Sequence, residues 1–317
     1  MGIKKLSVVT ACYNEQDNIL ELCERVRATL ENLPYEYEHI FIDNCSTDST
    51  VAVIRSVAAR DKRVKAILNT RNFGHIRSPY YGLLQGTGDA VVAMASDLQD
   101  PPEKIADFVS KWEEGFKVVI GVKNKSEEFG LFHSIRGIYY RLLKSMSDVE
   151  LIEHFTGFGL YDQQVVKTLR SIEDSYPYVR GLVAEIGYPI ARIEFIQPAR
   201  KKGITKNNFF TLYDLAMLGM TSYTKVPIRI VGLFGFASAA LSFLIAIFYL
   251  VYKLMNWQSF SLGLAPIVIG LFFFASIQLI FLGVIGEYIG AICTQVLRRP
   301  LVVEKERINF DNPGAME

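Results

Sequence analysis

Five short apolar runs punctuate the first part of the chain at near-regular intervals: Leu6–Thr10, His39–Asp43, Val64–Leu68, Ala90–Ala95 and Val118–Gly121. Each has the length and composition of a buried strand. Between them apolar residues recur every three or four positions. Asn18–Leu33 carries Ile19, Leu22, Val26 and Leu30 on one helical face, and Thr50–Arg60 carries Val51, Ile54, Val57 and Ala58. Alternating strands and helices predict an α/β unit built on a Rossmann-like, mostly parallel sheet covered on both faces. Ligands of such sheets sit outside the carboxyl ends of the strands, where strand order switches.

The pattern changes in the last third. Ile230–Tyr252 and Leu254–Gly286 contain no charged residue, and both exceed the roughly 20 apolar residues a helix needs to cross a bilayer core. A two-helix transmembrane hairpin is expected; the alternative is a pair of buried core helices. Residues 208–224 place Phe209, Leu212, Ala216 and Tyr223 on one face, as in an interfacial helix or a helix packed on the first unit. Val302–Phe310 reads equally as a surface segment or a strand. The expected divisions are a catalytic unit over 1–205, an amphipathic juxtamembrane segment over 206–228, membrane helices within 229–292 (about 229–252 and 264–288), and a tail over 293–317.

Charge orients this hairpin. Lys201, Lys202, Lys206, Lys225 and Arg229 precede it, Arg298, Arg299, Lys305 and Arg307 follow it, and Lys253 stands alone in the turn between. Basic residues favour the cytoplasmic side, so both ends are expected there, with Tyr249, Tyr252 and Trp257 at the outer interface. Met1–Lys5 leads straight into a run too short for a signal-peptide core, which again leaves the first unit cytoplasmic. The formal net charge of +1 identifies no partner by itself, and no nucleic acid is expected. Cys12, Cys23, Cys45 and Cys293 form no CxxC pair and read as reduced thiols. Gly232, Gly235, Ala239, Gly283, Gly286 and Gly290 offer small surfaces for helix packing, and so a route to homo-oligomers.

Chemistry gathers where the strands end. The first is followed by Ala11-Cys-Tyr-Asn-Glu15, the second by Asp43-Asn-Cys-Ser-Thr-Asp48, and the fourth by Ser96-Asp-Leu-Gln-Asp-Pro-Pro-Glu103. Singly, Ser46 or Asp48 reads as a helix cap and Pro101-Pro102 as a helix start. Three carboxylate-bearing loops on one sheet edge point instead to a site.

Tyr13-Asn-Glu15, Asp43 with Ser46-Thr-Asp48, Arg71-Asn-Phe-Gly74 and Asp97-Leu-Gln-Asp-Pro-Pro-Glu103, in this order, resemble the inverting GT-A glycosyltransferases of the dolichol-phosphate-mannose-synthase type. Arg180-Gly181, Arg200…Gly203-Ile-Thr-Lys206 and the hairpin extend the resemblance to bacterial polyprenyl-phosphate glycosyltransferases with two C-terminal spans. It implies an inner-membrane enzyme that moves one sugar, glucose by similarity to bacterial glucosyl carriers, from a UDP-sugar to a polyprenyl (undecaprenyl) phosphate. Asp97 would ligate Mg²⁺ or Mn²⁺, with Gln99 as a further oxygen donor. Ala11, Tyr13, Glu15, Asp43, Arg71 and Ser96 would face the donor, Tyr13 over the base and Asp43 at its imide N–H. Arg136, Arg180, Arg200 and Lys206 would hold the acceptor phosphate. His75 reads as a substrate contact or a helix-start residue, and Asp162 as structural.

The chain departs from the family pattern at several points. Ala95-Ser-Asp97 lacks the first carboxylate of Asp-x-Asp, Asn44 replaces the second of two paired aspartates, Ala11 replaces a proline, and Gly157 and Gly159 stand where relatives often carry Asp and Arg. Two rivals follow: a processive membrane polysaccharide synthase, for which Gln295-Val-Leu-Arg298 is an accidental match, and a catalytically dead membrane scaffold.

Overall fold

The computed structural model describes residues 4–123, 155–198, 214, 217–222, 224–255 and 264–310. The five expected strands are present as β1 (Lys5–Cys12), β2 (Glu36–Asp43), β3 (Val64–Asn69), β4 (Ala90–Ala95) and β5 (Val118–Lys123). Helices α1 (Ile19–Leu30), α2 (Thr50–Arg60), α3 (Gly74–Gln85) and α4 (Lys104–Glu113) link them in alternation. The predicted faces are the buried ones: Ile19, Leu22, Val26 and Leu30 in α1, and Ile54 and Ala58 in α2. Three further strands, β6 (Phe155–Asp162), β7 (Ile190–Phe195) and β8 (Glu304–Ile308), complete an eight-stranded sheet of order β7-β5-β6-β4-β1-β2-β3-β8. α5 (Gln163–Ser171) and α6 (Val179–Glu185) lie between β6 and β7 in sequence.

β1 pairs in parallel with both β2 and β4, and β2 with β3. The chain therefore builds outward from β1 to β3 and then returns to β1's other side. That reversal is the strand-order switch where a ligand crevice belongs. β6 runs antiparallel between β4 and β5, and β8 antiparallel to β3. Gly159 permits the close β5–β6 approach, since a Cβ there would lie 2.5 Å from the Val119 carbonyl oxygen.

The two apolar stretches form α7 (Val226–Met255) and α8 (Leu264–Val296). Their bounds differ from expectation. Leu254 belongs to the first helix, because a lone Lys253 between helix formers does not stop it. The second passes Glu287 to Val296, since a single half-buried charge does not end a helical hydrogen-bond ladder. Their most apolar windows, Val226–Ile245 and Phe273–Val296, are 0% buried, which rules out the core-helix alternative. Of the expected interfacial helix, 217–222 is helical, and Phe209, Leu212, Ala216 and Tyr223 lie outside what is described.

Gln295 ties the hairpin to the sheet domain: its Nε2 donates to Asp174 Oδ1 at 2.6 Å while its Oε1 accepts from Ser175 N–H. Gln295 is thus a docking residue. Within the hairpin, Tyr288 of α8 donates to the carbonyl of Thr224, just before α7, at 2.8 Å. Beyond α8, Thr70 N–H donates to the Val303 carbonyl, Tyr81 to Glu304, and Arg55 pairs with Glu306. Val302–Phe310 accordingly resolves as an edge strand with its flanks.

Candidate active site

A cavity of about 560 Å³ opens at the strand-order switch. Its floor is the end of β1 (Ala11, Cys12, Tyr13) and of β4 (Ala95, Ser96, Asp97), with Glu15, Asp100, Gly157 and Phe158 around them. One wall comes from the β2 and β3 loops and the start of α3: Asn44, Asn72, Gly74 and His75. The sequence places these residues here because four parallel strands end at one edge, with Cys12 opposite Asp43 and Ala11 opposite Ala95 in the ladders.

The loops at this edge hold unusual backbone. Asn14, Cys45 and Leu98, one in each loop after β1, β2 and β4, adopt φ of 57°, 64° and 62°. Left-handed φ is uncommon outside glycine, above all for Leu. Such conformations concentrate where a loop must present side chains and its surroundings hold it in place. Asn14 shows the restraint: its side chain exchanges hydrogen bonds with Thr47 and its N–H donates to Ser46 Oγ at 2.9 Å, joining the β1 and β2 loops.

Ala11, Tyr13, Glu15, Ser96 and Asp97 all line the cavity. Glu15 is buried, and its carboxylate accepts from Asn18 Nδ2 at 2.6 Å while its N–H donates to Thr50 Oγ1. It fixes its own loop. Asp97 Oδ1 accepts from Gln99 N–H at 3.2 Å. Gln99 itself turns its amide nitrogen toward the Pro198 carbonyl.

Other residues lie off the lining. Asp43 is 1% exposed behind the floor and accepts from the Ser46 hydroxyl and N–H. Burial pushes its carboxyl above the usual range despite those bonds. Arg71 lies with its guanidinium 4.0 Å from the Phe73 ring centroid and donates to the Asn72 carbonyl. Arg180 begins α6 near His75. Arg136, Arg200 and Lys206 lie outside the described residues. Asp48 accepts from Thr50 at the start of α2, and Asp162 from Gln164 N–H, Trp112 and Lys117. Both are structural.

Several lining groups carry no role in the motif pattern, among them Asp100, Asn44 and Asn72. Asp100 is 5% exposed and accepts from Ala95 N–H at 2.9 Å. Burial, reinforced by the neighbouring Asp97 charge, pushes its carboxyl up to about 7. The position of Asp100 inside the Asp97–Glu103 motif was the available signal. His75 lines the cavity too; burial holds its imidazole below the usual value, and Arg180 adds to that.

Electrostatically the cavity is one-sided. Glu15, Asp97 and Asp100 line it, and among the described lining residues no Lys or Arg does. A phosphorylated ligand entering here would meet like charge unless a cation accompanied it. Hard carboxylate oxygens suit a divalent ion such as Mg²⁺ or Mn²⁺; among the described residues no three His, Cys, Asp or Glu side chains form a metal-holding group, so the arrangement suits an ion held by Asp97 together with substrate phosphates rather than by a protein cage.

Residues 7–170 match the family model described as glycosyl transferase family 2. The chain is 32% identical over 307 residues to an uncharacterized glycosyltransferase of Bacillus subtilis (strain 168), covering 96% of this chain and 95% of that one. It is 31% identical over 303 residues to the SfII prophage-derived bactoprenol glucosyl transferase of Shigella flexneri, covering 95% of this chain and 98% of that one. Among solved structures, it is similar to glucosyl-3-phosphoglycerate synthase from Mycobacterium tuberculosis in complex with phosphoglyceric acid, at 17% identity and a TM-score of 0.48, over 69% of this chain and 78% of that one.

Proposed function

Because the chain belongs to glycosyl transferase family 2, we propose that it moves a single glucose from a UDP-sugar to the phosphate of a polyprenyl (undecaprenyl) phosphate, with inversion. The observation that carries this reading is the carboxylate-lined cavity at the strand-order switch, in a chain that also carries two exposed apolar helices. The first feature suits a nucleotide diphosphate brought in with a metal; the second suits a lipid acceptor.

Asp97 would hold the divalent cation, with Asp100 facing the same cavity; Gln99, which is not among the lining residues, would serve as a further oxygen donor from the adjoining loop. When bound, the cation neutralises the diphosphate released as the anomeric C–O bond breaks. Tyr13 would cover the base, and Asp43, fixed by Ser46, would lie behind it. Glu15 keeps the β1 loop in place through Asn18. The acceptor is already an anion, so its capture needs cationic groups more than a strong base. Arg136, Arg180, Arg200 and Lys206 are assigned that task, Arg by forked contacts and Lys as a point charge. α7 and α8 would cross the bacterial inner membrane, with the sheet domain and both termini cytoplasmic.

The test is to incubate the purified full chain with radiolabelled UDP-glucose, undecaprenyl phosphate and Mg²⁺ or Mn²⁺, then identify the lipid by mass spectrometry. One hexose per lipid is expected, with loss of product on chelation and a roughly 10²–10³-fold fall in Asp97→Asn. A polymeric product, or no labelled lipid with any UDP-sugar, overturns the proposal.

A further inference from the structure

The cavity wall depends on one buried amide. Asn44 is 7% exposed and sits in the loop after β2, yet its bonds run to β3 and the loop that follows it. Its Oδ1 accepts from Phe73 N–H at 2.8 Å and from Asn69 Nδ2 at 3.3 Å. Its Nδ2 donates to Asn72 Oδ1 at 2.9 Å and to the Gly74 carbonyl at 3.1 Å. The orientation is unambiguous: a peptide N–H only donates and a peptide carbonyl only accepts, so the oxygen must face Phe73 and the nitrogen Gly74. Asn72 Oδ1 also accepts from Gly74 N–H at 2.8 Å, which makes the two side chains one unit.

That unit shapes the cavity. Asn44, Asn72, Gly74 and His75 all line it. Gly74 takes a φ of 87° as it opens α3, and no side chain of its own can hold it. Its carbonyl and its N–H are instead both engaged by the Asn44–Asn72 pair. Neither an aspartate nor an alanine reproduces this. Aspartate offers oxygens where Asn72 Oδ1 and the Gly74 carbonyl require donors, and alanine leaves a buried N–H and a carbonyl without partners.

We propose that Asn44 is a positioning residue for the sugar-nucleotide donor, acting through Asn72 and Gly74 to hold the β3–α3 wall against the carboxylates of the loop after β4. The inference rests on reading this cavity as the donor site. The experiment measures donor KM and kcat at saturating acceptor for wild type, Asn44→Ala, Asn44→Asp, Asn72→Ala and the Asn44→Ala/Asn72→Ala double variant, with thermal melting of each. Asn44→Ala and Asn44→Asp are expected to raise donor KM by roughly 10–100-fold with kcat within about threefold. The double variant should be no worse than Asn44→Ala, since both act on one link. An Asn44→Ala KM within about twofold of wild type overturns the proposal, even if Asn44→Asp is impaired, because charge alone would then explain the latter. Additive effects in the double variant overturn it too. Should neither Asn44 variant fold, Asn72→Ala at its exposed position decides: an unchanged donor KM refutes the link. Absence of turnover by wild type would defeat the donor reading itself, and this inference with it.

Discussion

Phe41 and Phe236 are the same side chain in opposite surroundings: the first, in β2, is 0% exposed, and the second, in α7, is 80% exposed. The contrast holds across both regions. Val8, Ile40, Val92 and Leu160 in the sheet are fully covered, whereas Leu233, Leu241, Leu279 and Leu282 on the hairpin are 70%, 58%, 69% and 62% exposed. A sheet domain stabilises itself by removing such groups from water. A hairpin that leaves them outside needs an apolar surrounding medium or a partner surface to do the same. Polar groups follow the same division. Glu38 in β2 is 2% exposed but has Lys5 at 2.9 Å, Lys65 at 2.8 Å, and the hydroxyls of Ser7 and Thr87, and neither apolar stretch contains a charge to compensate.

The largest effect should come from emptying the sheet core. Phe41→Ala is expected to cost about 3–5 kcal/mol, read by denaturation of the detergent-solubilised protein. Next is a charge on the hairpin face. Leu241→Arg should disfavour membrane insertion by about 2.5–3.5 kcal/mol, seen as a shift of the protein from the membrane to the soluble fraction. Full insertion with no loss would mean α7 does not face lipid. Third is the buried carboxylate. Burial pushes Glu38 upward, but hydrogen bonds from Lys65, Ser7, Lys5 and Thr87 outweigh it and hold the group at about 2, below its usual 4.5. A depressed folded-state value adds stability above 4.5 that disappears as pH falls toward 2. The gap between wild type and Glu38→Gln should therefore be at most about 3 kcal/mol near neutrality and close between those values. The smallest effect is Phe236→Ala, within about 0.5 kcal/mol in detergent; a cost like that of Phe41→Ala would show that a protein surface covers α7.

Sequence pattern was a good guide where structure is local. β1 to β5, α1 and α2 declare themselves through runs and periodicity within a dozen residues, and the hairpin through the absence of charge. β6 carries Gly157 and Gly159, which blur its alternation, and β8 reads Glu-Lys-Glu-Arg-Ile. Each is a strand because of a distant antiparallel partner, β4 and β5 for one and β3 for the other. The site divides in the same way. Strand-end carboxylates such as Asp97 were visible as motif residues. What Asn44 does was not, since its partners lie 25 to 30 positions away. It appeared only as a departure from a paired aspartate, and the amide geometry supplies the physical reason for that departure. Asp43 was legible as a residue but not as one lying behind the cavity floor.

The edge position of β8 has a consequence for biosynthesis. The chain makes β3 early, yet the strand that pairs with its open side, Glu304–Ile308, follows both apolar helices. An unpaired edge is a template for adventitious strand addition. Until translation has passed α8, β3 has no partner on that side, so a ribosome stalled within the hairpin would release a domain with a bare flank. Completion of the sheet thereby reports that the entire hairpin has been made.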